Sequence, residues 1–301
     1  MKAFFRKFKA VLNEIRFKLA SLGGSSSYWS TYMVDNKPFE SVKQSLDHYN
    51  WRNSVYPGYI ELMPVDQADG LIVLDYGCGP GNDLIGFGHF SSPKKLIGAD
   101  VSSPAMKIAK KRTELHGLNV EFIKINENSN QIPQESESID LVHSSGVLHH
   151  AKDIDLALKE IYRILKPGGS FQVMVYNHSS IWLHLYTAYI NQIENKKYAN
   201  LPLKDAFRRL TDGSSVPISK CYRPEEFESL VKSYGFKGAF KGASISTTEL
   251  KIQSKIYEAI ENQNLAKEHR DFLSNLEFNE KNHPMYKGDV AGINACFHFI
   301  K

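Results

Sequence analysis

Apolar residues follow two different patterns along this chain, and the change between them comes near residue 70. From there on, short apolar runs alternate with longer amphipathic stretches. Runs of this length, separated by helical segments, predict parallel strands with helices packed on both faces of one sheet. The five predicted strands of this part are residues 71–74, 96–99, 120–125, 139–143 and 171–176. We therefore expect an α/β fold.

The intervening and following segments complete this pattern. The helix predicted for residues 154–165 ends before the Lys-Pro-Gly-Gly stretch of residues 166–169, as a helix does before proline and glycine. Further helices are predicted at residues 105–115, 181–193, 203–210 and 224–231 and between residues 248 and 276, and final strands at 236–240 and 291–300.

The first 66 residues follow a helical pattern instead. Residues 3–19 predict a basic amphipathic helix, because their apolar side chains recur at helical spacing. Residues 22–27, rich in glycine and serine, predict a flexible link. The aromatic-rich residues 28–66 are expected to form covering helices. The apolar positions of the first helix are Phe4, Phe8, Val11, Leu12, Ile15 and Leu19.

These patterns suggest five parts. We expect a basic helix and link at 1–24, an N-terminal helical lid at 25–68, a ligand-binding core at 69–176, an inserted helical cap at 177–223, and C-terminal helices and strands that complete the sheet at 224–301.

Charge and cysteine content exclude several classes of protein. Residues 1–20 carry six basic and one acidic side chain, a net charge of +5, so the rest of the chain carries −1 of the formal +4. A nearly neutral body argues against nucleic-acid binding. Three distant cysteines without a CxxC pair suggest neither a zinc site nor disulfides, and a cytoplasmic location is expected. No apolar run approaches the roughly 18 residues of a membrane span.

Candidate chemistry begins at a glycine-rich turn after the first strand. Gly77, Gly79 and Gly81 let the backbone turn sharply and approach a ligand before the next helix begins. The spacing is G-x-G-x-G; a dinucleotide fingerprint would need its third glycine at Asn82. Asp100 ends the second strand, 19 residues after Gly81, where an acid can accept hydrogen bonds from two ribose hydroxyls. A helix cap before residues 102–104 is the alternative role for Asp100.

Four segments together resemble a known family. Residues 73–81, 98–102, 140–150 and 165–169 are similar, in order and spacing, to class I S-adenosylmethionine (SAM)-dependent methyltransferases, of the type 11 branch that includes quinone-biosynthesis C-methyltransferases. The resemblance is tight from about residue 71 to 176 and loose beyond. It implies a Rossmann-like doubly wound sheet of seven strands, six parallel and one antiparallel, with SAM as cofactor and methyl transfer as activity.

The resemblance also implies individual roles at the cofactor. Asp75 would lie near the methionine amino group, Asp100 would bind the ribose hydroxyls and Val101 would pack on adenine. Asn126 stands where the family often has an aspartate that contacts adenine, so this sequence departs from the pattern there. The cofactor-binding residues implied are Asp75, Gly77, Gly79, Gly81, Asp100, Val101, Asn126, Glu127, Ser144 and Ser145.

A base is needed only if the methylated atom carries a proton at neutral pH. His149 and His150 are the first candidates, because the resemblance places their loop at the mouth of the transfer site; the alternative is a capping or packing role. Tyr176 and His178 follow the fifth strand and are secondary candidates. No metal is expected, since His143 lies in a strand and no cysteine or acid completes a zinc set with His149 and His150.

Residues 28–66 and 177–222 should enclose the acceptor. Their aromatic content favours a small molecule, a glycan or a lipid-linked molecule with ring or acyl surface. Tyr28, Trp29 and His178 are candidate contacts. Arg208 and Arg223 would neutralise a phosphate or carboxylate, unless they are solvated surface charges.

Several alternatives stay open. The first helix would lie on an anionic membrane, pack on the domain or a second subunit, or serve as a mitochondrial presequence, and the oligomeric state is undetermined. The rival readings of the whole chain are an NAD(P)-dependent oxidoreductase and a non-catalytic binding or scaffold protein with this fold. A nucleic-acid methyltransferase is disfavoured, because residues 144–147 lack the Asn/Asp-Pro-Pro-Tyr type of motif that amino-methylating relatives carry.

Overall fold

The structure, a computed structural model, describes residues 2–32 and 38–301, with side chains from residue 12 onward. Its strands are β1 (Ile72–Tyr76), β2 (Lys95–Asp100), β3 (Val120–Lys124), β4 (Ile139–Ser145), β5 (Leu165–Asn177), β6 (Cys221–Tyr222), β7 (Lys237–Ser244), β8 (Glu277–Phe278), β9 (Pro284–Tyr286), β10 (Asp289–Val290) and β11 (Asn294–Ile300).

The helices alternate with these strands and also precede them. They are α1 (Lys2–Leu22), α2 (Gly24–Thr31), α3 (Val42–Ser54), α4 (Tyr59–Leu62), α5 (Asn82–Phe90), α6 (Ser103–Leu115), α7 (Ile154–Ile164), α8 (Leu203–Thr211), α9 (Pro224–Lys232), α10 (Thr247–Ile252), α11 (Ile256–Glu261) and α12 (Lys267–Ser274). Short 3-10 turns cover Leu148–His150 and Gln253–Lys255, and a π-helix covers Trp182–Glu194.

The main sheet has the strand order β3-β2-β1-β4-β5-β11-β7. Its pairs are parallel except where β11 runs antiparallel to both β5 and β7. The expected seven strands, six parallel and one antiparallel, are confirmed. The two-residue strand β6 also pairs with β5, and β8, β9 and β10 form a small separate sheet that the sequence patterns did not predict.

Local sequence explains where the core helices begin and end. The Ser102 side chain caps α6 by accepting the Ala105 N–H, and Asp153 caps α7 by accepting that of Leu156. Pro224 and the capping pair of Arg223 and Glu226 start α9. The apolar faces of α7 and α9 pack against the central strands in one buried core.

Two predictions about helices need correction. Residues 22–27, predicted as a flexible link, are helical except at Gly23, since α1 ends at Leu22 and α2 begins at Gly24. The helix resumes because Ser26 finds tertiary partners: its N–H donates to Glu127 and its hydroxyl to the carbonyl of Val101. The helix predicted at 181–193 is a π-helix, which packs with α11 and α12 in a second core.

The N-terminal helices and the insertion cover one edge of the sheet. Helices α2, α3 and α4 lie over the carboxyl ends of the strands, and α8 with the loop that follows it lies opposite. Ligands bind at this edge in open α/β sheets. Among the helices the structure describes, none is both long and apolar enough to cross a membrane.

Candidate active site

The glycine loop after β1 is shaped by contacts that a side chain would block. Gly77 has a φ of +84°, and a Cβ there would lie within 2.6 Å of a Val147 methyl carbon. Gly79 has a φ of +49° with open space where its Cβ would be. Gly81, with a φ of +83°, is the cap residue of α5. The loop therefore has free space beside the backbone at Gly79, whereas at Gly77 the Val147 side chain fills that space.

Asp100 stands beside this loop, and its carboxylate is oriented by backbone groups. One oxygen accepts the Gly79 N–H at 2.8 Å and the other accepts the Ser102 N–H at 2.7 Å. Burial raises the pKa of Asp100 above its ordinary value, while these backbone donors oppose the shift. Each oxygen keeps a second lone pair, so the carboxylate can still accept from a ligand hydroxyl.

A cavity of about 420 Å³ opens above the loop and Asp100. Its volume falls in the range of small-molecule and cofactor sites. Aromatic side chains from the covering segments form much of its wall, and Arg52 and Lys152 are the arginine and lysine among its lining residues. The aromatic lining residues are Trp29, Tyr32, Trp51, Tyr56, Tyr59, Tyr76 and Tyr176.

Helix α2 closes one side of the cavity. The Ser102 hydroxyl donates to the Trp29 carbonyl at 3.2 Å, and the Ser26 N–H donates to the Glu127 carboxylate at 2.7 Å. These bonds join α2 to the segments that follow β2 and β3, beside Asp100. Glu127 and Trp29 both line the cavity as a result.

A buried charge network lies at the opposite side. Arg52 on α3 donates to both oxygens of Asp83, at 3.1 and 3.2 Å, and to the Ser145 hydroxyl at 3.0 Å. Arg52 and Asp83 line the cavity. Burial raises the pKa of the Asp83 carboxyl, but the charges and hydrogen bonds of Arg52 and His143 together outweigh burial, and the net shift is downward. Sequence reasoning missed this pair, because neither residue belongs to the family's motifs that we used.

His143 and Asp75 continue the network beneath the cavity. His143 Nε2 lies 3.6 Å from an Asp83 oxygen, and His143 pairs in register with Asp75 on the neighbouring strand. Burial raises the pKa of Asp75 to about 7, against the opposing charge of His143. One oxygen of Asp75 has no hydrogen-bond partner among the described residues. Asp75 is fully enclosed and does not line the cavity.

A third group of polar side chains surrounds Asp212, at the end of β5. One of its oxygens accepts the Tyr176 hydroxyl at 2.7 Å, and the other accepts the Ser219 hydroxyl at 3.0 Å. His150 Nε2 lies 3.6 Å from the first oxygen. Burial, with the Asp212 charge, raises the pKa of Tyr176 well above its ordinary value, so the phenol stays protonated.

The orientation of His150 follows from its other nitrogen. Nδ1 lies 2.7 Å from the carbonyl of Ile218, which can only accept, so Nδ1 carries the hydrogen. In the neutral ring, Nε2 is therefore an acceptor on the Asp212 side. His150, Tyr176 and Asp212 all line the cavity, and Asp212 is the member that the sequence did not single out.

Residues 67–264 match the family model described as a methyltransferase domain. The chain belongs to this family. Its match to malonyl-[acyl-carrier protein] O-methyltransferase of Marinomonas sp. is 33% identical and covers 44% of this chain and 48% of that protein. The match to the ubiquinone/menaquinone biosynthesis C-methyltransferase UbiE of Bartonella bacilliformis is 28% identical and covers 48% and 58%. The chain thus matches about half the length of these two relatives.

Solved structures show the same fold. The [4+2]-cyclase SpnF superposes with a TM-score of 0.50 at 16% identity, over 96% of this chain and 94% of that one. At this identity the likeness concerns the fold alone. The methyltransferase family and the fold imply SAM as the cofactor.

The residues of this family member fit such a cofactor. The Gly79 backbone has open space above it, Asp100 presents acceptors, and the buried Asn82 Nδ2, which lines the same cavity, has no hydrogen-bond partner among the described residues. Of the residues implied for the cofactor, the cavity is lined by Gly77, Gly79, Asp100, Val101, Glu127 and Ser145.

The other implied cofactor residues lie off the cavity. Gly81 and Ser144 stabilise the elements around the cavity: Gly81 caps α5, and the Ser144 hydroxyl donates to the Tyr76 carbonyl. Asn126 is exposed and accepts the Asn128 N–H. Asn130 lies at the cavity instead and accepts the Tyr76 hydroxyl at 3.0 Å. The Ser129 and Asn130 N–H groups donate to the Asn126 carbonyl, and this turn brings Asn130 to the cavity in place of Asn126.

Several candidates for catalysis or acceptor binding are also outside the cavity. His149 is fully buried against the Tyr176 ring, and burial holds its pKa well below the ordinary value. His178 faces His184 in the second core. Tyr28 is buried and donates to the Asp212 carbonyl, whereas Trp29 reaches the cavity.

The two arginines proposed for an anionic acceptor have other partners. Arg208 donates to the carbonyls of Val216 and Pro217 and so holds the loop after α8. Arg223 lies beside Glu226 at the start of α9, away from the cavity. Among the described residues, no group of three or more His, Cys, Asp or Glu side chains could hold a metal ion.

Proposed function

We propose that this protein is a SAM-dependent methyltransferase that acts on a small-molecule, glycan or lipid-linked acceptor with aromatic or acyl surface. One observation carries the proposal: the same cavity is lined by the glycine loop with Asp100 and by aromatic side chains of the lid. A cofactor and an acceptor must share one enclosed space for direct transfer.

Five lining residues are proposed to hold the cofactor. Gly77 and Gly79 would contact it through their backbone, Asp100 would accept the ribose hydroxyls, and Val101 and Glu127 would border the adenine. When bound, SAM supplies an activated sulfonium methyl group. The chain then has to orient the acceptor and exclude water. Positioning alone can lower the activation barrier by roughly 7–11 kcal/mol in favourable cases.

The acceptor is proposed to lie against the aromatic wall. The cavity is lined by Trp29 from α2, Tyr32 directly after α2, Trp51 from α3, Tyr56 before α4 and Met174 of β5. Such side chains stack on rings and pack on acyl chains. Arg52 is already paired with Asp83, so the wall favours an acceptor bound mainly through apolar surface.

His150 is proposed as the base for an acceptor hydroxyl. Its Nε2 would take the hydroxyl proton while the acceptor oxygen gains the methyl group that bound SAM would supply, with S-adenosylhomocysteine as the leaving group. The imidazolium that results lies 3.6 Å from the Asp212 carboxylate, which stabilises the new charge. Tyr176 holds Asp212 in place by its hydrogen bond.

Calorimetric titration with SAM tests the first part of the proposal. We expect wild-type protein to bind and Asp100→Ala to bind at least tenfold more weakly, about 1.4 kcal/mol or more, because a charged acceptor is lost. Asp271→Ala, on the exposed face of α12, is the matched control and should bind as wild type does. Unchanged affinity in Asp100→Ala contradicts the site assignment.

Methyl transfer requires a separate measurement. Labelled SAM is incubated with a panel of phenolic, glycosidic and lipid-linked hydroxyl acceptors, and product label is counted. Transfer above the level of Asp100→Ala supports the proposal. SAM binding without turnover on the whole panel would favour the alternative of a non-catalytic binding or scaffold protein with this fold.

A further inference from the structure

Helix α1 exposes a row of apolar side chains. Leu12, Ile15, Leu19 and Leu22 have exposed fractions of 48, 50, 63 and 82%. Residues spaced three and four apart lie on one face of a helix, so these four form a single stripe. Large apolar side chains clustered in this way mark an interaction surface more often than isolated ones do.

The protein packs α1 through a different face. The Phe17 ring meets the rings of Tyr28 and Tyr32 edge-on, with centroids 6.5 and 5.2 Å apart, and Ala20 is buried. At about 100° per residue, Phe17 and Ala20 lie roughly opposite the centre of the stripe. The residues of the apolar stripe therefore do not make the contact between α1 and the lid.

Basic side chains border the stripe. At the same angular spacing, Arg16 follows one edge of the stripe and Lys18 the other, and both are exposed. Residues 1–20 as a whole carry a net charge of +5, whereas the rest of the chain carries −1. An apolar stripe between basic flanks is the pattern of a helix that lies in the interface of an anionic bilayer.

We propose that α1 docks this protein on an anionic lipid surface, with Leu12, Ile15, Leu19 and Leu22 in the interface. A second copy of the chain is a poorer occupant of the stripe, because pairing would bring two segments of charge +5 together. Gly23 separates α1 from α2, whose Trp29 lines the cavity. Docking therefore places the lid next to the membrane, and the docking itself does not depend on methyl transfer.

Vesicle co-sedimentation of the full-length chain tests the proposal. The probes are neutral vesicles of phosphatidylcholine and anionic vesicles in which phosphatidylglycerol replaces half of it. The salt concentration is about 0.1 M, where electrostatic screening acts over about 10 Å. We expect wild-type protein to partition onto the anionic vesicles at least tenfold more strongly than onto the neutral ones. Raising the salt to about 0.5 M should weaken this binding, because screening then acts over a few ångströms.

The decisive variant changes the stripe alone. Ile15→Glu/Leu19→Glu should lower the partition coefficient at least tenfold. Val42→Glu/Tyr257→Glu is the matched control, since it makes the same charge change at two exposed apolar residues outside α1 and should bind like wild type. Unchanged thermal unfolding midpoints show that both variants fold.

Two results would overturn the proposal. Equal sedimentation of wild type and Ile15→Glu/Leu19→Glu on anionic vesicles excludes the stripe as the contact. A wild-type dimer in light scattering that Ile15→Glu/Leu19→Glu converts to a monomer, with no vesicle binding by either, assigns the stripe to a second copy of the chain.

Discussion

Arg52 and Asp83 face each other through two hydrogen bonds, from Nη1 to Oδ1 at 3.1 Å and from Nη2 to Oδ2 at 3.2 Å. Arg52 belongs to the lid helix α3, and Asp83 lies in the first turn of α5, directly after the glycine loop. The guanidinium also lies over the Tyr59 ring, 4.7 Å from its centroid. The pair therefore ties the covering helices to the loop that borders the cavity.

Removing one member of this pair should be costly. Arg52→Met leaves the Asp83 carboxylate buried without its partner, and we expect a loss of about 3–5 kcal/mol in the free energy of unfolding. Denaturant unfolding of Arg52→Met, Asp83→Asn and the double variant measures the coupling. The loss in the free energy of unfolding of the double variant should be smaller than the summed losses of the two single variants, by at least about 2 kcal/mol. Additive losses would contradict a direct interaction.

A side chain should be tolerated at one glycine of positive φ and not at another. Gly77→Ala places a methyl against Val147 at a positive φ, so we expect strongly weakened SAM binding and a loss of roughly 2–4 kcal/mol in stability. Gly117→Ala is the control, since Gly117 also has a positive φ, of +67°, but open space at its Cβ. That variant should lose only about 1 kcal/mol and keep its SAM affinity. Calorimetry and denaturant unfolding distinguish them, and equal losses would mean that the Val147 contact is unimportant.

The buried Asp75 should make stability depend on pH. Its pKa is raised to about 7 in the folded protein, chiefly by burial, above an ordinary value near 3.8. The unfolded chain therefore releases this proton first. The stabilisation is complete below about pH 4 and is lost as the pH rises to about 7, by roughly 2–4 kcal/mol.

Asp75→Asn should flatten this dependence. Urea unfolding at pH 5, 6.5 and 8 measures it, and the slope that remains is assigned to His143, whose raised pKa acts with the same sign. Asp47→Asn, at an exposed site on α3, should keep the wild-type slope. The same slope in Asp75→Asn as in wild type would show that Asp75 does not titrate in this range.

The pairing of His150 with Asp212 predicts a rate effect without a binding effect. With a hydroxyl acceptor, His150→Gln should lower kcat by about 10²–10⁴-fold, while SAM affinity stays within about twofold. Asp212→Asn should lower kcat less, because the base remains and loses only its stabilising charge. Steady-state rates as a function of pH are the measurement. A wild-type kcat in His150→Gln would rule out this histidine as the base.

Tyr176→Phe tests whether Tyr176 takes a direct part in methyl transfer or only positions Asp212. It keeps the ring that packs on His149 and removes only the hydroxyl that donates to Asp212. We expect a rate between those of wild type and Asp212→Asn. A rate as low as that of His150→Gln would instead assign the phenol a direct part in transfer.

The strand–loop–helix segment around Gly77 and Gly79 was predictable because its geometry is local. A strand, three glycines at fixed spacing and a helix start are encoded in about ten consecutive residues, and the next strand ends at Asp100 within the same unit. The parallel pairing of the strands also follows from alternating apolar runs and helices, since parallel strands require a helical crossover. Position along the strands thus brings Gly79 and Asp100 to one edge of the sheet.

The cavity's other polar groups were not predictable in this way. Arg52 meets Asp83 across 31 positions, and Tyr176 meets Asp212 across 36, with no periodicity to link them. The sequence pointed equally to His149 and His150, and only packing separates them: one lies against the Tyr176 ring, and the other lines the cavity. Adjacent residues in a tight turn face different directions, which no one-dimensional pattern specifies.

The parallel sheet, the glycine loop with Asp100 and the family resemblance were predictable from the sequence, because each depends on periodicity or on motifs within short segments. Three features depended on tertiary contacts: which face of α1 packs on the lid, that residues 24–27 are helical, and that Asp212 lies beside His150. Those features depend on contacts between segments distant along the chain. The free energy of such contacts comes from burial and hydrogen bonds that exist only once the chain has folded.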